Sequence, residues 1–187
     1  VFVKGSNNFR YKIFPEYKKN RPQKHPIIDV LTKYLVDNFE AIESHNAKRD
    51  AYAYSISQLP EFVDHTIICS VDKDLRQIPG IHYDYQKNKF YVISEEEARY
   101  NLAIQMIMGD AADGIPCLKG YGIKKAEKII KRGMTAYQCI RAILKEYHKN
   151  CLSPEEAKAQ VRLNYKLLKL HKVNVTSERV LQPAEKF

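Results

Sequence analysis

The run Thr66-Ile67-Ile68-Cys69-Ser70-Val71 constrains the fold most. It is apolar, β-branched and too short for a buried helix, which suits a buried parallel strand. Asp72 and Asp74 follow at once, in SVDKDL. Residues two apart at a strand end point the same way. In open α/β sheets, ligands gather beyond the carboxyl ends of the strands. Upstream, the apolar spacing predicts helices over 27–39 and 47–59. Downstream, His82–Tyr85 and Lys89–Ile93 read as a hairpin around Gln86-Lys87-Asn88. From residue 94 the pattern is helical. Ser94 with Glu97 predicts a capping box for a helix reaching Met108. A lysine-rich helix over 123–132 is closed by Gly133, and Thr135 with Gln138 and Ser153 with Glu156 cap two more. Residues 1–24 carry no clean period and read as a strand end followed by a loop or irregular helix. The organisation is therefore an α/β part over 1–93 followed by a helical part over 94–187.

A second acid pair, Asp110 and Asp113 in MGDAADGIP, leaves a helix end three residues apart, so both can face one point. Asp50 sits on the helix predicted before the strand. Carboxylate oxygens without a His or Cys ligand set suit Mg²⁺ or Mn²⁺. Two such ions about 4 Å apart can clamp the attacking and leaving oxygens of a phosphodiester. Aspartates at strand and helix ends also serve as turn and capping residues, and composition leaves both readings open. Cys69, Cys117, Cys139 and Cys151 fit no C-x-x-C spacing and read as reduced packing residues of an intracellular protein. No apolar stretch reaches the roughly 18 residues of a spanning helix, so no membrane partner is expected. The chain starts at Val1 rather than Met, so a missing beginning, with any targeting segment, is expected upstream.

Lys and Arg number 31 against 22 Asp and Glu, for a net charge of +9. Such an excess favours a polyanionic partner, because neutralised phosphates release counterions. The positive charge clusters over 10–24 and 119–132. In the first cluster Phe9, Tyr11, Phe14 and Tyr17 interleave with Arg10, Lys12, Lys18, Lys19 and Arg21. Bases stack on aromatics and phosphates take cations, although Phe14 and Tyr17 also suit a core. In the second, Gly120 and Gly122 form a turn flanked by Lys119, Lys124 and Lys125. Glycines let the backbone approach a phosphate closely, which suits a sequence-independent clamp on duplex DNA.

Taken together, FRYKIFPEYKKNR, SVDKDLRQIPG and IQMIMGDAADGIPCLKGYGIKKAEKII resemble a family in order and spacing. It is that of the bacteriophage 5′–3′ exonucleases and flap endonucleases and the 5′ nuclease domain of bacterial DNA polymerase I. The resemblance spans roughly residues 1–170. It implies a PIN-like core with a central, mostly parallel sheet between helices. An arch segment over 9–26 and a helix–three-turn–helix around 109–132 that grips duplex DNA are also implied. The expected activity is divalent-metal hydrolysis near 5′ ends, flaps or nicks in DNA, by a monomer. By matched position, Asp50, Asp72, Asp74, Asp110 and Asp113 would ligate metal. Lys18 and Arg21 would contact the scissile phosphate, and Arg10, Lys119, Gly120, Gly122, Lys124 and Lys125 the DNA. A K⁺ ion is expected on carbonyls of Leu118 to Ile123.

The sequence also departs from that family. Its first-strand acid would lie upstream of Val1. Val3 and Lys4 stand near the next expected acid, and Ala47-Lys48-Arg49-Asp50 replaces Glu-x-Asp-Asp. Cations there oppose a second Mg²⁺, so slow cleavage with intact DNA binding is expected. A DNA-binding relative without catalysis, acting as an accessory or structural replication protein, is the alternative. An RNA-directed nuclease is a third reading.

Overall fold

In the computed structural model, β1 (Phe2–Lys4) pairs in parallel with β2 (Ile42–Ser44). In a second sheet, β3 (Ile67–Cys69) pairs in parallel with β4 (Gly80–Asp84), and β4 turns back antiparallel into β5 (Lys89–Ile93). The structure describes residues 2–4, 9–22, 25–39, 41–44, 49–63, 65–116 and 118–172, with side chains for all of these except 2–4, 42–44 and 49–52. Helix α3 (Arg49–Ser57) packs against β1, β2 and β3 and so ties the two sheets together. β3 is shorter than the sequence predicts and is buried on one face only. Ile68 is 7% exposed, whereas Ile67 is 52% exposed and Cys69 is also exposed. Its β-branched residues therefore fit the pleat without a second covering layer.

The hairpin forms where the sequence places it. Asp84 Oδ1 accepts the N–H groups of Gln86 and Lys87 at 3.1 and 3.0 Å. Asn88 takes a left-handed φ of 50°, which asparagine tolerates well.

Helices α1 (Arg10–Ile13) and α2 (Ile27–Phe39) precede the second sheet. No residue of α2 is buried, and Val30, Tyr34 and Phe39 are 63%, 53% and 57% exposed. After the hairpin come α4 (Glu95–Met108), α5 (Ile123–Ile129), α6 (Ala136–His148) and α7 (Pro154–Leu168). The predicted caps are in place. Ser94, Thr135 and Ser153 each accept the backbone N–H three residues on, and Thr135 with Gln138 completes the reciprocal box. α5 stops before the predicted residue 132, because Ile130 leaves the helix to enter the core with 0% exposure. Gly133, with φ 84°, lies in the turn beyond.

The larger core joins α4, α6 and α7 through Met106, Ile107, Ile143, Tyr147, Val161 and Leu167. A smaller one holds Ile68, Leu75, Ile78 and Leu170. Both cross the boundary predicted at residue 93: Tyr17 lies in the helical core, and Leu170 in the α/β core. Among the described residues, no helix is long and apolar enough to cross a membrane.

Candidate metal centre and nucleic-acid interface

The two acid pairs use one local device. Asp72 caps a 3₁₀ turn over Lys73–Gln77, and its Oδ1 accepts the Asp74 N–H at 3.0 Å. Asp110 caps a 3₁₀ turn over Ala111–Asp113, and its Oδ1 accepts the Ala112 N–H at 3.0 Å. In each pair the first aspartate folds the turn that presents the second. The second loop is pinned by reciprocal backbone bonds between Asp110 and Ile115. Gly109 precedes it at φ 64°, where an added Cβ would lie 2.5 Å from the Ile115 carbonyl oxygen. Only glycine fits this position.

Carboxylate oxygens of Asp74, Asp110 and Asp113 lie within 4.8 Å of one another. Asp72, expected as a ligand, is not one of the three; its Oδ1 caps the turn by accepting the Asp74 N–H. The Asp50 side chain lies outside the described residues.

Asp110 and Asp113 are 5% and 3% exposed. Buried carboxylates are costly unless paired, and cations surround these two. Lys73 Nζ lies 3.1 Å from Asp110. Asp113 pairs with Arg21 and with Lys18 Nζ at 3.7 Å, and accepts the Tyr17 hydroxyl at 2.7 Å. Burial, and then that bond to Asp113, push the Tyr17 phenol up, so it remains a donor. The Lys18 backbone N–H also donates to the Asp113 carbonyl at 2.9 Å, and Lys18 takes a left-handed φ of 60°. A lysine in that region needs such local support.

Lys18 and Arg21 thus pair with Asp113 of the acid group. Tyr17 and Lys73 were not among the residues the sequence singled out for this site. Lys73 was legible in principle, as the residue between Asp72 and Asp74.

Arg10 is placed differently from its expected role on DNA. It is 2% exposed, and its Nε and Nη2 donate to the carbonyls of Leu167 and Lys169 at 2.6 and 3.1 Å. It ties the start of α1 to the end of α7.

The glycine turn lies at the start of α5. Gly120 has φ 77°, and Gly122 caps the helix without a side chain. Lys119, Lys124 and Lys125 are exposed. Lys125 Nζ sits 3.4 Å from the centroid of the Tyr121 ring. The Tyr121 hydroxyl donates to Glu146 at 2.9 Å, and Lys149 Nζ meets the same carboxylate at 2.6 Å. Burial works to raise the Glu146 pKa, but these two hydrogen bonds, with the charges of Lys149 and Lys145, together hold the carboxyl below its usual range. The basic surface continues along α6 through exposed Arg141, Lys145, His148 and Lys149, a face the sequence reading did not single out.

No protein-family model matches the chain. It is similar to the flap endonuclease Xni of Shewanella pealeana, at 25% identity over 195 residues, covering 94% of this chain and 76% of that protein. It is also similar to the 5′-3′ exonuclease of Buchnera aphidicola, at 29% identity over 150 residues, covering 71% of this chain and 51% of that one. Among solved structures, the bacteriophage T5 5′-exonuclease with bound zinc shares its fold, with a TM-score of 0.68 and 22% identity over 90% of this chain and 73% of that one. In sequence and fold the chain is similar to 5′ nucleases. A T5 flap endonuclease in a pseudo-enzyme–product complex with DNA and metal ions shares the fold too, with a TM-score of 0.67 and 20% identity over 91% of this chain and 73% of that one.

The acid group of this chain fits a hard divalent cation. It offers only carboxylate oxygens, the donor type that suits such ions. Two of its three members are buried and now depend on Lys73, Lys18, Arg21 and Tyr17 for compensation.

Proposed function

We propose that the chain is a structure-specific 5′ nuclease that hydrolyses DNA phosphodiesters near 5′ ends, flaps or nicks. The observation that carries this reading is the group Asp74, Asp110 and Asp113, two of them buried, with Lys18 and Arg21 of the arch entry against it. The group would hold Mg²⁺ or Mn²⁺, which polarises a phosphoryl oxygen and lowers the pKa of bound water. Lys18 and Arg21 would move from Asp113 to the scissile phosphate, where guanidinium and ammonium match the charge. Asp72 supports the site by shaping the Lys73–Gln77 turn, and Asp50 remains a candidate ligand by position.

Lys119, Gly120, Gly122, Lys124 and Lys125 would take the duplex backbone, with Lys125 held in place over Tyr121. K⁺ would sit on carbonyls between Leu118 and Ile123. Leu118 and Gly122 already accept backbone N–H groups there, which shapes the loop. The protein would act as a monomer inside the cell. Ala47 and Arg49 stand where the family has Glu and Asp, and Lys48 between them adds positive charge, so cleavage would be slow relative to DNA binding.

A 5′-labelled flap incubated with Mg²⁺, with EDTA, and with Asp113→Asn tests the reading. Product that EDTA and the substitution both remove is expected. Duplex binding with no metal-dependent product at any enzyme concentration would instead favour a DNA-binding protein without catalysis.

A further inference from the structure

Gln105, on α4, donates from Nε2 to Asp74 Oδ1 at 3.0 Å. Its Oε1 accepts from Gln77 Nε2 at 2.7 Å. Gln77, 4% exposed, also donates to the Leu168 carbonyl at 3.1 Å, and its own Oε1 accepts the Leu170 N–H at 3.2 Å. Two side-chain amides therefore link one carboxylate of the acid group to the backbone strap that follows α7.

The direction of this chain of bonds is fixed at the strap. A backbone N–H only donates and a carbonyl only accepts. Leu170 must meet the oxygen of Gln77, so the Gln77 NH₂ faces Leu168 and Gln105. The oxygen of Gln105 must then face Gln77, and its NH₂ must face Asp74. Reversing either amide would bring like atoms together, in a place buried at Gln77 and half-buried at Gln105, at the cost of unmade hydrogen bonds.

We infer that Gln105 and Gln77 are positioning residues that orient Asp74 as an acceptor, with their polarity set by the backbone at Leu168 and Leu170. This rests on the reading of Asp74, Asp110 and Asp113 as a metal site. Groups behind a metal ligand fix its orientation, and losing one typically weakens the metal roughly 10–100-fold. Arg10 holds the flanking carbonyls of Leu167 and Lys169, so the strap that sets the polarity is itself anchored.

Calorimetric titration of the full chain with Mn²⁺, at a temperature where each variant is folded, tests this. Gln105→Met keeps the volume and removes the donor, so affinity should fall about tenfold or more. Gln77→Glu leaves an acceptor for Leu170 and draws the Gln105 NH₂ away from Asp74. Its affinity should fall as well, although the added negative charge would by itself favour a cation. Wild-type binding with unchanged affinity in Gln105→Met overturns the inference. A loss in Gln105→Met without one in Gln77→Glu overturns the relayed polarity. Wild type that binds no Mn²⁺ overturns the metal reading itself.

Discussion

Replacing Arg10 by Met separates a structural arginine from a DNA-contacting one. Met retains the aliphatic stem but deletes the guanidinium. Two bonds to the carbonyls of Leu167 and Lys169 are lost in a site that is 2% exposed. A hydrogen bond to a charged group contributes about 1.5–3 kcal/mol, and the orphaned carbonyls add a desolvation penalty. Removing a buried cation returns part of this, because its own desolvation cost disappears. A net loss of about 3 kcal/mol is expected from these opposing effects. In a domain of this size that lowers Tm by roughly 6–12 °C. Scanning calorimetry measures the shift, and duplex binding at low temperature, where the variant is folded, should stay close to wild type. An unchanged Tm with duplex affinity reduced tenfold would refute the structural role and restore Arg10 to the DNA surface.

Gly109→Ala should cost more than about 2 kcal/mol by urea unfolding, from the left-handed φ and the clash with Ile115. A stable variant would mean the loop is not held as described. Burial lowers the pKa of His82 despite its bond to the Ile78 carbonyl, and burial, Arg10 and Lys169 lower that of His171. Stability from their neutral forms is complete above the unfolded value of about 6.5 and is lost as pH falls through the folded values. Urea unfolding at pH 7.5 and 5.5 should show that loss, and His82→Gln should make it smaller. An identical pH dependence in the variant would remove His82 from the account. Lys124→Ala with Lys125→Ala should weaken all duplexes alike and reduce the log–log salt slope by about 2. An unchanged slope would take α5 out of the interface.

Elements whose signals are local were legible from the sequence. The caps at Ser94, Thr135 and Ser153 depend on residues three apart, and the hairpin depends on Asp84 and Asn88 within one turn. The acid pairs were legible as chemistry but not as geometry. A carboxylate two residues before a partner can also cap the turn beneath it, as Asp72 Oδ1 does here, and the spacing alone does not reveal this. Arg10 was misplaced because its partner Leu167 is 157 residues away, where no spacing argument reaches. Tyr17 was left between a stacking and a core role, and its hydroxyl bond to Asp113 joins it to the site. The end of α5 was missed because burial of Ile130 outweighs helix propensity there.

The central claim is that Asp74, Asp110 and Asp113 together hold one divalent ion. Titration of the full chain with Mn²⁺, alongside Asp110→Asn and Asp113→Asn, tests it most directly, because the amides keep the size and remove the charge. The account predicts saturable binding by the wild-type chain, weakened more than about tenfold by each substitution, since each deletes a charged oxygen ligand. Wild-type affinity in either variant, or no Mn²⁺ binding by the unaltered chain, would contradict it.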